Sequence, residues 1–387
     1  MLSDVQNDLL ILGGGCAGLS LARRLSILGK LCPQTLILES RSAYLDDRTW
    51  CFWNEPSAQL THLVSHRWLR VSVAAKENSA TVDCHAYPYS MIPSAAFYDE
   101  SISMLGQTDS IQLELGVSVL SEPKKIGNVW YVETSAGMRS ARKIVDTRPT
   151  DRPQRGKALL WQSFVGHEID CSEPVFQPDI AEIMHFEPVC DGRILFFYLL
   201  PFSKNRALLE ATIFAPEPYG PDKFQNEMEA FIARRVKGYN YTFRRSEHGI
   251  LPMGMPPSQT DPDPSYVKAG LFSGGARPSS GYAFQRIQRW ASLCAEALGQ
   301  GQLPLPHAPD PILLRKMDSL FLKVLRRQPE IAPELFMALF RKTDIGRLVR
   351  FMSDRASVVD YLAISLALPS KPFLQQIYRA FAPSHKE

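Results

Sequence analysis

The stretch Asp8-Leu9-Leu10-Ile11-Leu12-Gly13-Gly14-Gly15-Cys16-Ala17-Gly18 decides the fold. Residues 8–12 form a short, largely apolar run that stops at glycine, as a strand buried in a parallel sheet does. Gly13, Gly15 and Gly18 then fit the pattern G-x-G-x-x-G. The first glycine permits a tight turn, the second lets backbone approach a pyrophosphate, and the third lets helix and strand pack closely. Ala17, Leu21, Leu25 and Leu28 predict a helix over 16–29 that Gly29 stops. The free N–H groups at its start favour phosphate. Residues 35–39 read as the second strand, and Glu39 ends it, 21 residues after Gly18. A carboxylate there accepts hydrogen bonds from ribose hydroxyls and repels a 2′-phosphate, which fits FAD or NAD and disfavours NADP at this site.

Length and composition narrow the class. The chain has 387 residues, 45% of them hydrophobic and 21% charged, which suits a large core and excludes a mostly disordered chain. No apolar run reaches the roughly 18 residues of a spanning helix, and the N-terminus carries no signal-peptide pattern. Seven cysteines without a CxxC pair, and eight histidines without an HExxH motif, point to a reduced cytoplasmic protein with no metal site. No nucleic-acid partner is expected, and oligomeric state is left open. Residues 286–387 hold 15 basic and 9 acidic residues, an excess of +6 against −3 for the remainder. Such a segment suits an anionic lipid surface or an ordinary solvated helical face.

Beyond Glu39 the middle of the chain reads as strand-rich. Strands are predicted over 68–73, 117–120, 129–134, 193–200 and 206–214, and the Pro-rich stretch 252–264 is predicted as loop. After Phe284 the periodicity turns helical, with Leu313, Leu314, Met317, Leu320, Phe321, Val324 and Leu325 on one face. Residues 334–352 and 356–368 repeat the style. The expected fold is α/β: a Rossmann-like dinucleotide-binding fold with an inserted β-rich substrate domain and a helical C-terminal region. Boundaries are placed at 1–60 and 266–300 for the nucleotide segments, 61–265 for the mixed β-rich part, and 301–387 for the helices.

Several further runs share one order along the chain. They are Asp47-Arg48-Thr49-Trp50-Cys51-Phe52-Trp53, Trp161-Gln162-Ser163-Phe164-Val165-Gly166, Arg206-Ala207-Leu208-Leu209-Glu210-Ala211-Thr212, and Gly274-Gly275-Ala276-Arg277-Pro278-Ser279-Ser280-Gly281-Tyr282. Together they resemble the lycopene cyclase family, of the bacterial β-cyclase type, from Asp8 to about Leu325. The resemblance implies the flavoprotein fold of aromatic hydroxylases and geranylgeranyl reductases. It implies FAD held by Gly13, Gly15, Gly18, Glu39 and Arg48, with reduced flavin as the working form. NADPH or NADH would supply the electrons without a second Gly-rich site. The second glycine segment is also an anion-friendly turn before a helix start, and Gly274, Gly275, Pro278 and Gly281 are placed on the flavin side. The implied reaction isomerises the linear ψ ends of lycopene, or a related linear carotenoid, to β-ionone rings. The implied location is peripheral, on the cytoplasmic face of the cell membrane.

Such a cyclisation needs a proton donor to a terminal C=C, stabilisation of a carbocation, and a base for a ring proton. A carboxyl inside an apolar tunnel keeps its proton. Glu210 fits: a hairpin around Ser203–Asn205 would bury it, with Leu208 and Thr212 on its face, and the resemblance places the family's essential Glu here. Many members carry Asp after this Glu, and Ala211 stands there in this chain; His185 replaces an Asp found in many members. His185 and the buried carboxyl Glu247 are the next candidates for proton transfer, although a hydrogen-bonded structural role suits His185 better. Two other readings share the fold: a flavin-dependent monooxygenase or polyene reductase, which would consume reduced nicotinamide with product, and a non-catalytic carotenoid-binding flavoprotein.

Overall fold

The structure, a computed structural model, describes residues 5–76, 78–149, 158–188, 191–254 and 263–381. Cys190 and residues 255–262 of the Pro-rich stretch lie outside the described residues. The helices of eight residues or more are α1 (Cys16–Ser26), α2 (Ser94–Leu105), α3 (Gln225–Val236), α4 (Phe284–Gly299), α5 (Ile312–Arg327), α6 (Ala332–Lys342), α7 (Ile345–Met352), α8 (Val358–Ala367) and α9 (Ser370–Phe381).

The strand Asn7–Leu12 lies at the centre of the first sheet. Its neighbours run in the order Ile111–Leu115, Thr35–Glu39, Asn7–Leu12, Gly137–Asp146, Val129–Thr134 and Lys124–Ile126, and Tyr266–Lys268 also pairs on Gly137–Asp146. The pairings from Ile111–Leu115 through Gly137–Asp146 are parallel. Leu9 to Leu12 are fully buried because helices cover one face and the antiparallel Val129–Thr134 strand helps close the other, which explains their lack of polar alternation. α1 packs against α4, so the glycine turn and the returning segment are neighbours.

The second sheet is antiparallel except at one pairing. Its order is Tyr241–Met253, Leu160–Cys171, Arg206–Ala215, Ile194–Pro201, Ile180–Phe186, Arg70–Ala75, Asn78–Asp83. α3 covers one face, with Phe231 stacked on Phe197 at 4.0 Å between ring centres. A third sheet, in the order Thr49–Trp53, Tyr89–Pro93, His66–Trp68, bridges the two larger ones.

Several sequence expectations change. The strand predicted over 68–73 is two strands in two sheets, because Leu69 hands the chain from one sheet to the other and its carbonyl accepts Cys84 N–H at 2.8 Å. No strand forms over 117–120; the strand is Ile111–Leu115, and Gly116, at φ 73°, turns the chain so that Val117 N–H reaches Glu39 O. Val129–Thr134 belongs to the nucleotide sheet. α1 ends at Ser26, before Gly29. The strand Tyr241–Met253 runs into the stretch predicted as loop. The 334–352 helix is split by Asp344, whose side chain accepts Arg347 N–H and starts α7.

The C-terminal helices are fastened to the nucleotide half by a buried pair. Arg277 Nη2 meets Asp318 Oδ1 of α5 at 3.1 Å, with both side chains buried, and Ser279 Oγ donates to the same oxygen at 2.8 Å. The guanidinium also lies 4.0 Å above the centre of the Phe351 ring. Removing the carboxylate would leave a buried cation, which costs about 3–5 kcal/mol in comparable sites. Asp318→Ala is therefore expected to lower unfolding stability by several kcal/mol, as measured by urea denaturation. An exposed control on the same helix, Lys323→Ala, is expected to change it by about 0.5 kcal/mol or less.

Candidate functional site

The cavity has a volume of about 1080 Å³ and runs from the glycine turn, through the face of the second sheet, to the C-terminal helices. At one end Gly15, Cys16 and Ala17 line it. Gly13 has φ 96°, so the turn there favours glycine. A Cβ on Gly18 would lie 2.0 Å from Gly13 O, which is the close helix–strand approach read from the motif. A Cβ on Gly15 would meet nothing within 4 Å. The N-terminus of α1 has no side-chain cap and no acidic residue in its first turn, so its amides stay available to an anion. Glu39 is buried at its strand end; its carboxylate accepts Gly14 N–H and Arg41 N–H, each at 2.8 Å. Arg48 lines the cavity beside Asp47 and Thr49, and its N–H donates to Ser94 Oγ at 3.0 Å.

Gly281, at φ 69°, lines the same cavity, and a Cβ there would lie 3.0 Å from Gln162 Oε1. That oxygen is buried and has no hydrogen-bond partner among the described residues, so it is open to a donor from a bound group. Gly274, Gly275 and Pro278 are not among the lining residues. A Cβ on Gly275 would lie 2.5 Å from Gly270 O, and Gly274 has φ 94°, so both glycines have a local backbone cause. Pro278 O accepts Gly254 N–H at 3.2 Å.

Glu210 lies on Arg206–Ala215, third in the order of the second sheet and so interior to it. The hairpin expected around Ser203–Asn205 is present: Phe202 N–H donates to Arg206 O at 2.8 Å. Strand register sets Gly166 opposite Glu210 on one side and opposite Glu247 on the other, with Tyr198 across from Glu210. One row across four strands thus reads Glu247, Gly166, Glu210, Tyr198. The three side chains line the cavity. Gly166 lets them converge, because a Cβ there would sit 3.1 Å from Glu247 Cγ and 3.6 Å from Glu210 Cβ. Leu208, Phe214, Phe164, Ile183, Leu200 and Trp53 provide an apolar wall around the row.

The two carboxyls have different partners. Glu210 accepts one hydrogen bond, from Thr212 Oγ1 at 2.8 Å. It is half-buried because it faces the cavity, with dense protein on its other sides. Burial first, and then the charge of Glu247, pushes its pKa up to about 8; the Thr212 hydroxyl pulls the other way. Glu247 Oε2 accepts Arg245 Nη1 and Thr49 Oγ1, each at 2.8 Å. Burial raises the Glu247 pKa, and Arg245 and Thr49 oppose that rise. Arg245 Nε also holds Glu168 Oε2 at 2.7 Å, and Arg206 Nε holds the other Glu168 oxygen at 2.5 Å.

His185 does not line the cavity. Its Nδ1 lies 2.9 Å from Arg235 Nη2 and 3.7 Å from Glu182, and burial pushes its pKa down. The structure thus gives it the hydrogen-bonded role. Thr49 and Gln162 stand in runs that the sequence singles out without giving them a role, Tyr198 stands on a predicted strand without one, and no local signal marks Arg245. Gly166 ends a run that was noticed, but its purpose depends on the two strands that flank it.

The family described as lycopene cyclase protein matches residues 8–378. The chain belongs to the lycopene cyclase family. A lycopene beta-cyclase of Paracoccus sp. is 29% identical over 253 residues, covering 62% of this chain and 64% of that protein. The match therefore spans just under two thirds of the relative's length. Among solved structures, the chain is similar to a geranylgeranyl bacteriochlorophyll reductase-like protein of Thermoplasma acidophilum, with TM-score 0.59, 11% identity, and 96% and 98% of the two chains covered. It is also similar to p-nitrophenol 4-monooxygenase of Pseudomonas putida, with TM-score 0.59, 15% identity, and coverage of 96% and 99%. A flavin-dependent brominase gives TM-score 0.62 at 12% identity, with 97% and 99% covered. At such identities the likeness shows the fold, which is that of flavin-dependent oxidoreductases and halogenases with a helical C-terminal region.

The site chemistry has a direct readout. A protonated-carboxyl C=O stretch is expected in infrared spectra at pH 7, disappearing as pH rises through about 8 as Glu210 ionises. Glu210→Gln should remove the band. A parent protein without a titrating band in that range would contradict the burial of this acid.

Proposed function

We propose that the protein binds FAD non-covalently and cyclises the ψ ends of lycopene, or of a related linear carotenoid, to β-ionone rings. The observation that carries this reading is a carboxyl whose pKa burial pushes up to about 8, without a cation among the described residues, set in an apolar cavity that continues to a phosphate-ready helix N-terminus. Gly13, Gly15 and Gly18 would hold the pyrophosphate turn and Glu39 the ribose. Arg48, Gly281 and Gln162 lie where the cavity continues, and the bare Gly15 surface and the unpartnered Gln162 oxygen fit such a group. Held there in reduced form, FAD would supply negative charge suited to stabilising a nearby carbocation. NADPH or NADH would serve as its reductant.

Glu210 gives its proton to the terminal C=C, which leaves a tertiary carbocation. The next double bond along the chain closes the ring, and a base, such as the carboxylate the first step leaves on Glu210, takes up a ring proton and restores neutrality. One proton enters and one leaves, so the product is an isomer of the substrate and no reducing equivalent is consumed. The apolar wall excludes water that would otherwise capture the cation.

A substrate this apolar is delivered from lipid, and we assign a peripheral membrane contact to the C-terminal helices. None of the described helices is long and apolar enough to cross a membrane. The cavity is lined at that end by Ser365, Leu368, Phe373 and Leu374. Leu366, Leu374 and Tyr378 are exposed at 84%, 62% and 77%, beside the exposed Lys371 and Arg379. Exposed apolar side chains interleaved with basic ones suit an anionic lipid interface.

Glu210→Gln is expected to lower cyclisation by at least about 10²-fold, since Gln keeps the shape and cannot donate to carbon, while flavin content stays at the parent level. The assay is anaerobic conversion of lycopene in lipid with reduced flavin, followed by pigment analysis. Consumption of reduced nicotinamide in proportion to product would instead identify a reductase. Leu366→Asp combined with Leu374→Asp should weaken sedimentation with anionic liposomes at low salt and leave flavin binding unchanged.

A further inference from the structure

A single acid does not explain the arrangement around Glu210. The sheet sets a second buried carboxyl, Glu247, in the same cross-strand row, and the position between them is Gly166, where a side chain would meet both. The partners are unequal. Glu247 has the guanidinium of Arg245 and the hydroxyl of Thr49 on one oxygen, whereas among the described residues Glu210 has the hydroxyl of Thr212 alone. Two carboxyls in one low-dielectric site do not both ionise readily, and the one with the cation keeps the charge.

We propose that Glu247 is a positioning residue for the acid: held ionised by Arg245 and Thr49, it faces Glu210 across Gly166 and keeps the proton on Glu210 between turnovers. The proposal rests on the cyclase reading for its purpose, and on geometry for its substance. Burial alone favours the protonated form. A fixed negative charge in the same cavity adds to it and also favours reprotonation after each donation.

The other groups around the pair are accounted for. Tyr198 on the neighbouring strand, and Cys51 and Tyr89 from the third sheet, are themselves pushed up by burial and stay neutral in the working range. Arg48 acts on Glu247 from the Asp47–Trp53 segment and pulls its pKa down. Asp46 lies 3.6 Å from Arg245 and Glu168 lies 2.7 Å from it, and Arg206 holds the other Glu168 oxygen at 2.5 Å, so that two guanidinium groups serve three carboxylates, Glu247, Glu168 and Asp46. His248 lines the cavity beside Glu247. Because Arg245 is shared, Glu247 retains a net charge that acts on Glu210.

The test follows the infrared band assigned to Glu210 in the full chain reconstituted with flavin. In Glu247→Gln its titration midpoint is expected to fall by about one pH unit, the effect of losing one charge two strands away in a protein interior. Glu247→Asp retains the charge and should leave the midpoint near the parent value. Flavin content and melting temperature report whether each variant has folded. Should Glu247→Gln fail to fold, Thr49→Val provides the second arm. Loss of a donor leaves Glu247 less ionised and should move the Glu210 midpoint in the same direction by less. An unmoved midpoint in the folded variants overturns the proposal. An equal fall in the Gln and Asp variants also overturns it, since packing rather than charge would then be responsible. The upper limb of the cyclisation pH profile should move with the band; loss of cyclisation at every pH with an unmoved band would make Glu247 a proton acceptor and overturn the positioning role. If lycopene is not a substrate at all, the infrared shift still stands, which separates this inference from the proposed reaction.

Discussion

A carboxyl that faces an apolar cavity without a cation among the described residues is the constraint around which the rest of this structure is arranged. A carboxylate in water has no reason to hold its proton at neutral pH. Glu210 is instead set on an interior strand, with hydrocarbon and aromatic side chains around it, one hydroxyl for company and a second carboxyl in view. The apolar surroundings and the second carboxyl raise the cost of its anion. The Thr212 hydrogen bond works in the opposite sense and is outweighed by burial.

Keeping that environment dry requires a wall on every side, and each wall comes from a different part of the chain. The second sheet forms the floor, and the bridging sheet brings Cys51, Trp53 and Tyr89. The returning segment brings Gly281 and Tyr282, and the C-terminal helices close the far end with Phe321, Phe336 and Phe340. The buried Arg277–Asp318 pair fastens the last two together. Its burial makes it a specific latch more than a source of net stability, since desolvation offsets much of its Coulomb attraction. The Arg245 network is different in kind: Arg245 is shared among Glu247, Glu168 and Asp46, and Arg206 adds a second cation to Glu168 alone, which leaves Glu247 only partly neutralised.

The nucleotide half was legible from local pattern alone. Strand, glycine turn, helix, strand and terminal acid are consecutive in the chain, so their relation follows from residues close in sequence, and the structure adds only small shifts such as the earlier end of α1. The hairpin that carries Glu210 was legible for the same reason. Misreadings arose where the chain changes sheets. At Leu69 the apolar run continues while the pairing partner changes, and at Gly116 a left-handed turn ends a strand that hydropathy would place later. Apolar pattern reports burial, and it does not report which sheet provides it.

The sequence by itself determined that the chain opens with a phosphate-ready glycine turn, that Glu210 sits in an apolar hairpin, and that helices follow at the end. These are properties of neighbours along the chain, where spacing and side-chain type are enough. Only the tertiary structure decided that Glu247 would face Glu210 across Gly166, that Arg245 and Thr49 would hold one carboxyl and leave the other without a cation, and that Gly274 and Gly275 would pack against His307 and Gly270. Gly166, Glu210 and Glu247 are far apart in sequence. Strand register, set by the pairing of whole strands, brings them into one row, and the burial that raises both carboxyls' proton affinities, like the Arg245 and Thr49 contacts that set Glu247 apart, exists only once the sheets and helices have closed around them.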